Sequence, residues 1–250
     1  MLSLQEQSVA FEYETIVVDN ESDDDSVEVA KSFGCKVISI PRNNFTYGYS
    51  LNKGIEICNG KWILILSAHI ILINEFFLQN IPAYFNHERV AALRFTEISN
   101  QQNVKAGLEE GAQVLQWKNE DHFIKDHWNH LPANHCAAIA KKAWEQNPYD
   151  AQLFASEDKA WALEILKQDW EIIYQIPLFY VYSKPFSREI KIKRAVIEEL
   201  AKEKITGIPS PYRNASLSLK RSLLTPFRKI KSDRDVHKEI SRQMKKFKLP

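Results

Sequence analysis

Short apolar runs alternate with helical patterns along the first part of the chain. β-branched or apolar runs occupy residues 15–18, 36–40, 62–66 and 90–95. Between these runs, apolar side chains recur at the spacing of one helix face, and glycine or asparagine ends several of the stretches. The alternation predicts an α/β fold with a mostly parallel central sheet, helices on both faces and right-handed crossovers.

Polar residues stand where two of the predicted strands end. The first run stops at Asp19 and Asn20, and the third stops at Ser67, Ala68 and His69. The carboxyl ends of parallel strands meet at one edge of a sheet, where open α/β sheets bind their ligands. These side chains should therefore line a common mouth, which is typical of an enzyme.

The pattern weakens in the second half of the chain. Residues 100–131 mix polar and aromatic side chains, and a long irregular insertion of this kind is often functional in a compact domain. We interpret the chain as a domain over residues 1–185 followed by an extension over 186–250. Later elements are predicted as a helix over 159–168, short strands over 170–174 and 179–182, and an amphipathic helix over 187–205.

Composition narrows the class of protein. The 250 residues are 44% hydrophobic, enough for a sizeable core, and the net charge of +1 predicts no general affinity for nucleic acid. Cys35, Cys58 and Cys136 form no CxxC pair, so we interpret them as reduced thiols of a cytosolic protein. The first residues lack a signal-peptide pattern, and the longest apolar run is too short to span a bilayer.

Positive charge is concentrated towards the C-terminal end. Between residues 213 and 249, twelve Lys/Arg stand against three Asp/Glu. The leucines among them suit an amphipathic helix that lies on anionic lipid, at the inner face of a membrane. A solvated terminus fits the same residues, and both interpretations stay open. The predicted fold accordingly includes a helical, basic C-terminal extension.

Four segments resemble, in order, the motifs of family 2 glycosyltransferases, which have the GT-A fold. Residues 14–24 resemble the family's E-I-I-V-V-D-N-G-S-x-D opening, and residues 45–55 look like its F-x-x-G-x-x-x-N-x-G segment. Residues 60–69 lie where the family has G-x-x-I-x-x-L-D-x-D, and residues 156–158 resemble its E-D catalytic-base segment. The resemblance covers residues 1–185, and the order of the motifs makes it specific.

The resemblance implies an inverting glycosyltransferase. Such an enzyme would move a sugar from a nucleotide-diphosphate donor to a glycan or lipid-linked acceptor in surface polysaccharide synthesis. Asp158 would be the base, with Glu157 as the alternative, since a carboxylate can take the proton of the acceptor hydroxyl. Either carboxylate also fits a simple helix cap. A catalytically inactive binding or scaffold subunit of the same fold is the alternative function.

The resemblance also assigns residues to the two substrates. The acceptor is expected at Asn134 and Trp128, where the aromatic stretch would line a cleft. For Asp19, whose donor role follows from the resemblance, the alternative is that an Asp at a strand end satisfies the amides of its own loop. The donor nucleotide is expected to contact residues from all three N-terminal motifs: Asp19, Asn20, Ser22, Asp24, Asn52, Ser67 and Ala68.

Two departures from the family pattern affect the predicted site. The family has a strand before its first helix, whereas this sequence starts within that helix, so we expect the strand to be missing. The family's acid pair is replaced by Ser67-Ala68-His69. His69 is either a ligand of a divalent cation, Mn²⁺ or Mg²⁺, or a side chain that lines the pocket. No other cofactor is expected, and the histidines at 122, 127, 130 and 135 are interpreted as part of the acceptor cleft.

Overall fold

The computed structural model describes residues 1–99, 101–120, 122–183 and 188–210. The chain divides into two compact units, Met1–Ser183 and Lys184–Pro250. The predicted basic tail lies outside the described residues, and so does its predicted contact with anionic lipid. Within the described part of the chain, no helix is both long and apolar enough to cross a membrane.

The first unit contains eight strands and eight helices among its described residues. The strands are β1 (Ile16–Asp19), β2 (Lys36–Ser39), β3 (Trp62–Leu66), β4 (Ile70–Leu72), β5 (Val90–Glu97), β6 (Gln113–Leu115), β7 (Cys136–Ala140) and β8 (Glu171–Tyr182). The helices are α1 (Leu2–Gln5), α2 (Ser26–Ser32), α3 (Tyr47–Glu56), α4 (Phe77–Tyr84), α5 (Gln101–Glu109), α6 (Phe123–His127), α7 (Lys141–Gln146) and α8 (Glu157–Lys167). In the second unit, α9 spans Arg188–Thr206.

A small parallel sheet forms the N-terminal part of the first unit. β1 and β2 pair in register from Ile16 opposite Lys36 to Asp19 opposite Ser39. Helix α3 packs on β1 at Gly54, where a Cβ atom would lie 2.9 Å from Cγ2 of Val18. Only glycine allows this close approach of helix and strand. Among the described residues, α1 is the element before β1.

The larger sheet has six strands in the order β3-β7-β5-β8-β4, with β6 paired to the other end of β8. The predicted mixed α/β class, with a central sheet flanked by helices, is confirmed. The strand directions differ from the prediction, because β5 and β8 are parallel whereas the other described pairs of this sheet are antiparallel. The short strands β4 and β6, which the apolar pattern did not resolve, pair with β8 and account for two of these antiparallel contacts.

β8 is one long strand rather than the two short strands predicted on either side of Pro177. Its pairing with β5 shifts register between Ile176 and Phe179, and Gln175 has a positive φ of 61°. A proline has no N–H to give to a ladder, so it is tolerated where a bulge interrupts the pairing. The bulge therefore lets the strand continue through the proline and reach Tyr180 and Tyr182.

The core lies on both faces of the larger sheet. Helix α4 contributes Phe77, which is fully buried and meets Phe95 of β5 edge to face, with ring centroids 4.8 Å apart. Helix α8 buries Trp161, Ile165 and Leu166. Burial of side chains of this size stabilises the fold by about 2 kcal/mol each. This packing fixes the start of α8, where the predicted base lies.

Candidate active site

Helix α8 begins with the two predicted catalytic carboxylates. The preceding residue, Ser156, has left-handed backbone angles (φ 58°), which turn the chain into the helix. Asp158 is half-buried in the first turn, and its two oxygens accept hydrogen bonds from the backbone N–H groups of Asn134 (3.1 Å) and Lys159 (2.7 Å). The two backbone donors fix the orientation of the Asp158 carboxylate at the start of the helix.

Glu157 lies behind Asp158 and is only 5% exposed. Burial, and next the charge of Asp158, raise the pKa of Glu157 to about 7. Its Oε1 accepts a hydrogen bond from Nδ2 of Asn134 at 3.3 Å, which partly opposes the rise. Burial and the neighbouring charge thus act together against the ionised form of Glu157, because adjacent carboxylates in a buried site resist ionising together.

Asn134 connects both carboxylates to the rest of the site. Besides its two bonds to Asp158 and Glu157, its Oδ1 accepts a hydrogen bond from the buried Tyr149 hydroxyl at 3.2 Å. Asn134 was predicted to bind the acceptor, and that role stays a prediction. What the structure shows is that Asn134 donates from its backbone N–H to Asp158 and from its side-chain amide to Glu157.

The next residue, His135, ties the carboxylates to the end of β3. Its carbonyl oxygen accepts a hydrogen bond from the Ser67 N–H at 2.9 Å. The Tyr182 ring meets both imidazoles edge-on, with centroids 5.6 Å from that of His135 and 5.9 Å from that of His69. The segment Asn134–His135 thus brings the Ser67-Ala68-His69 turn and the predicted base Asp158 into one neighbourhood.

The chemistry around His69 does not fit a protein-held divalent cation. Across the described ranges, no group of three or more His, Cys, Asp or Glu is placed to hold a metal ion. The ring neighbour of His69 is Tyr182, and a single imidazole is a weak site for Mn²⁺ and a poor one for Mg²⁺. The assignment of His69 as a metal ligand stays a prediction.

The predicted donor residues at the end of β1 form a compact loop. Asp19 is buried, and both its oxygens accept from the N–H of the exposed Ser22, at 3.3 and 3.2 Å. Asp24 is exposed and accepts from the Ser26 N–H at 3.1 Å, and its hydrogen bonds to Ser26 lower its pKa. The carboxylates of Asp19 and Asp24 are thus hydrogen-bonded to backbone N–H groups of the same loop.

Asn20 is the exception in this loop. Its Oδ1 atom is buried and has no hydrogen-bond partner among the described residues. A buried acceptor without a donor costs about 1–3 kcal/mol, and such atoms are rare in native proteins. A ligand N–H or O–H in this position would remove the cost, which makes Asn20 the best-defined binding atom at the β1 end.

Asn52 has a structural environment. Its Nδ2 donates to the Tyr149 carbonyl at 2.8 Å, and its Oδ1 accepts from Trp144 Nε1 at 2.9 Å and from the Tyr149 N–H at 3.0 Å. One turn earlier, a Cβ on Gly48 would lie 2.5 Å from the Asp150 carbonyl oxygen. Gly48 and Asn52 therefore fasten α3 to the 144–151 segment. The contact of Asn52 with the nucleotide stays a prediction.

The remaining predicted residues differ in exposure. Ser67 is half-buried, Ala68 is exposed, and Trp128 is half-buried in a 3₁₀ turn, Trp128–His130. Of the four histidines assigned to the acceptor cleft, His127 and His130 have Nδ1 atoms 3.2 Å apart, whereas His122 contacts the exposed carboxylates of Glu120 and Asp126.

Sequence reasoning missed three residues that the structure brings to the site. Tyr149 and Tyr180 bond to Asn134 and His135, at 3.2 and 2.8 Å. Arg94 lies in β5, and its guanidinium is largely buried close enough to Asp158 to interact with its charge. A lone arginine inside the apolar run 90–95 was the available signal for a functional side chain in the core.

The family model that matches is Glycosyl transferase family 2, over residues 1–146. The chain belongs to this family. No curated protein matches it.

Solved structures confirm the GT-A glycosyltransferase fold. One is the mannosyltransferase PcManGT from Pyrobaculum calidifontis in complex with GDP-Man and Mn²⁺, which is 14% identical in sequence and superposes with a TM-score of 0.59. The match covers 88% of this chain and 64% of PcManGT. S. aureus TarS 1–349 with UDP is 14% identical, with a TM-score of 0.52 and coverages of 85% and 63%. Glucosyl-3-phosphoglycerate synthase from Mycobacterium tuberculosis, with phosphoglyceric acid, is 13% identical, with a TM-score of 0.54 and coverages of 78% and 70%. The chain thus spans less than two thirds of the first two relatives.

Proposed function

We propose that the chain is an inverting glycosyltransferase that uses a nucleotide-diphosphate sugar. The observation that carries the proposal is the hydrogen-bonded path from Asp158 through Asn134 and His135 to Ser67, which joins the predicted base to the predicted donor turn. The similar structures were solved with GDP-Man, with UDP and with phosphoglyceric acid, which supports the same class of substrates for this chain.

Asp158 is the base in this proposal. It is half-buried, and both its oxygens are oriented by backbone N–H groups, so it can receive a proton without moving. It takes the proton of the acceptor hydroxyl while that oxygen forms a bond to the anomeric carbon. The bond from that carbon to the diphosphate oxygen breaks, and its electron pair leaves with the nucleotide. Attack from the face opposite the leaving group inverts the anomeric centre, through an oxocarbenium-like transition state.

Glu157 supports this role from behind. Because its pKa is raised to about 7, Glu157 is largely protonated in mildly acidic solution and then adds no second charge beside Asp158. Asn134 donates to both groups, from its backbone N–H to Asp158 and from its side-chain amide to Glu157. Asp158 is therefore held in a fixed orientation before the acceptor arrives, which is the positioning that general-base catalysis requires.

The donor is proposed to bind at the end of β1 and beside the end of β3. Asp19 shapes the loop, and Asn20 offers its free Oδ1 to a ribose hydroxyl or a base N–H. Ser22, Asp24, Ser67 and Ala68 lie around these atoms in the proposal, while Asn52 acts by holding α3. The acceptor is proposed to be a glycan or lipid-linked sugar of the kind used in surface polysaccharide synthesis, with Trp128 beside it.

A two-stage measurement tests the proposal. Thermal-shift and calorimetric binding of UDP, GDP, dTDP and CMP, each with EDTA, Mg²⁺ or Mn²⁺, identifies the nucleotide and the need for metal. Hydrolysis and transfer of the matching nucleotide sugar are then measured. We expect one nucleotide to bind and its sugar to be released or transferred. Binding without turnover under every metal condition would favour the inactive scaffold, and binding of no nucleotide would refute the proposal.

A further inference from the structure

A small internal cavity lies between β5, β8 and the segment that carries His130 and His135. Its volume is about 100 Å³, and the side chains that line it include Arg94, Glu97, His130, His135, Gln175 and Tyr180. A water molecule takes up about 30 Å³ of liquid, so the cavity has room for a group of a few heavy atoms, such as a phosphate or a carboxylate.

Arg94 is the feature of this cavity that lacks a structural explanation. Its guanidinium is largely buried, and no hydrogen bond or ion pair joins it to any of the residues described. Burial lowers the pKa of Arg94, which shows that the charged form is poorly solvated there. A buried cation without a partner is costly, and an arginine fork suits two oxygens of a carboxylate or phosphate.

No other polar side chain of the cavity forms a hydrogen bond or ion pair with Arg94 among the described residues, although the charge of Glu97 acts on it. His135 Nε2 and the Tyr180 hydroxyl lie 2.8 Å apart, and the His130 ring stacks on Tyr174 with centroids at 4.4 Å. Burial lowers the pKa of both histidines, so they are neutral at pH 7. Glu97 is the acidic side chain in the wall, and its Oε1 accepts from the Ser99 hydroxyl at 2.5 Å rather than from the guanidinium.

The cavity adjoins the predicted base. His135 lines it, and the preceding residue, Asn134, holds Asp158 through its backbone N–H at 3.1 Å. The charge of Asp158 acts on both Arg94 and His135. The cavity and the predicted base are therefore neighbours in the fold, joined through the Asn134–His135 segment.

We propose that this cavity binds an anionic group of the acceptor, a phosphate or a carboxylate, through the Arg94 guanidinium, with His130 and His135 as neighbouring hydrogen-bond partners. This assignment rests on the proposed glycosyltransferase function, since it names the class of acceptor for the same site. It makes Arg94 a specificity residue: it would favour acceptors with an anionic substituent close to the reacting hydroxyl.

Histidine NMR tests the proposal without nucleotide or sugar. The ring signals of the seven histidines are followed while inorganic phosphate, and separately acetate, is added to the full chain at pH 7 and constant ionic strength. We expect saturable shifts of His130 and His135 at millimolar phosphate, and at least tenfold weaker binding in Arg94→Met. Arg89→Met removes an exposed arginine of equal charge and should bind as the wild type does. The stronger of the two probes identifies the anionic group.

Other outcomes overturn the proposal. The proposal is wrong if neither anion causes saturable shifts of the histidine ring signals. It is also wrong if wild type and Arg94→Met bind the anion equally well. Shifts confined to exposed histidines such as His87 and His122 indicate an adventitious ion only. If Arg94→Met alters the histidine spectrum before anion is added, Arg94→Lys, which keeps the charge, replaces it and should retain partial binding. Nucleotide binding and sugar transfer are measured separately from anion binding. A failed anion titration therefore does not contradict the proposed function, and a failed transfer assay does not contradict anion binding.

Discussion

The two halves of the candidate site are built differently. Around Asp158, the polar atoms are buried and joined to each other, through Asn134 and Tyr149. Around Asp19, the loop is exposed, is braced by a surface ion pair between Arg42 and Asp23 at 2.6 Å, and contains the unpartnered Asn20 oxygen. Exposed pairs contribute little stability. Under the proposed function, the comparison means that Asp158 is held in place before substrates bind, whereas the loop at the end of β1 keeps an acceptor atom for a ligand.

Asp158→Asn probes the fixed half and has the largest expected effect. The amide keeps the shape of the side chain but cannot take a proton at neutral pH, so turnover should fall about 10²- to 10⁴-fold. The melting temperature should fall only modestly, because the amide oxygen keeps one of the two backbone donors and the other hydrogen bond is lost at a half-buried position. Transfer rate and melting temperature are measured together, with the exposed Asp126→Asn as the matched control. Near-normal turnover would remove Asp158 from its proposed role.

Glu157→Gln should change the pH dependence of stability. The folded-state pKa of about 7 lies above the ordinary value of 4.5, so the folded chain holds a proton that the unfolded chain has released. The associated stability is fully present below pH 4.5 and is lost as pH rises through 7. Between these two pH limits, the raised pKa of Glu157 should lower the free energy of unfolding by about 3 kcal/mol.

Urea unfolding of wild type and Glu157→Gln at pH 5, 6, 7 and 8 measures this effect. The wild type should lose free energy of unfolding relative to the variant as pH rises through that window. A constant difference between the two proteins at all four pH values would show that Glu157 is ionised throughout and that the carboxylates do not act on each other.

The two halves also differed in how far the sequence predicted them. Asp19 and Asp158 lie in short sequence motifs, so they could be found from the sequence. The strand 62–66 was predicted at its exact bounds, because its run of apolar residues is a local pattern. The contacts of Asn134 and Tyr149 join residues 15 to 24 positions apart, and the position of Arg94 depends on strand pairing; no local pattern reports either. β4 and β6 have three residues each, too few to show a period of two.

Asn52 tests whether the α3 motif belongs to the fold or to the ligand. Asn52→Ala removes three hydrogen bonds and leaves the buried Trp144 N–H without its partner, so it should cost about 2 kcal/mol of unfolding free energy. Nucleotide affinity, measured by calorimetry below the unfolding temperature, should change less than threefold. The exposed Asn80→Ala is the control. A large loss of affinity with unchanged stability would instead place Asn52 in the donor pocket.

Asn20→Ala should have the smallest effect of these substitutions. It is informative because the stability of the free chain should rise while its affinity for the nucleotide falls. Removing a buried acceptor that has no donor relieves its desolvation cost, so the free chain should become more stable by about 1 kcal/mol. The same change removes the atom proposed to accept from the nucleoside, so nucleotide binding should weaken about tenfold. Denaturant unfolding without ligand and calorimetric titration with the nucleotide measure the two terms. Reduced stability together with unchanged affinity would mean that the donor loop, like the carboxylate half, is complete without its ligand.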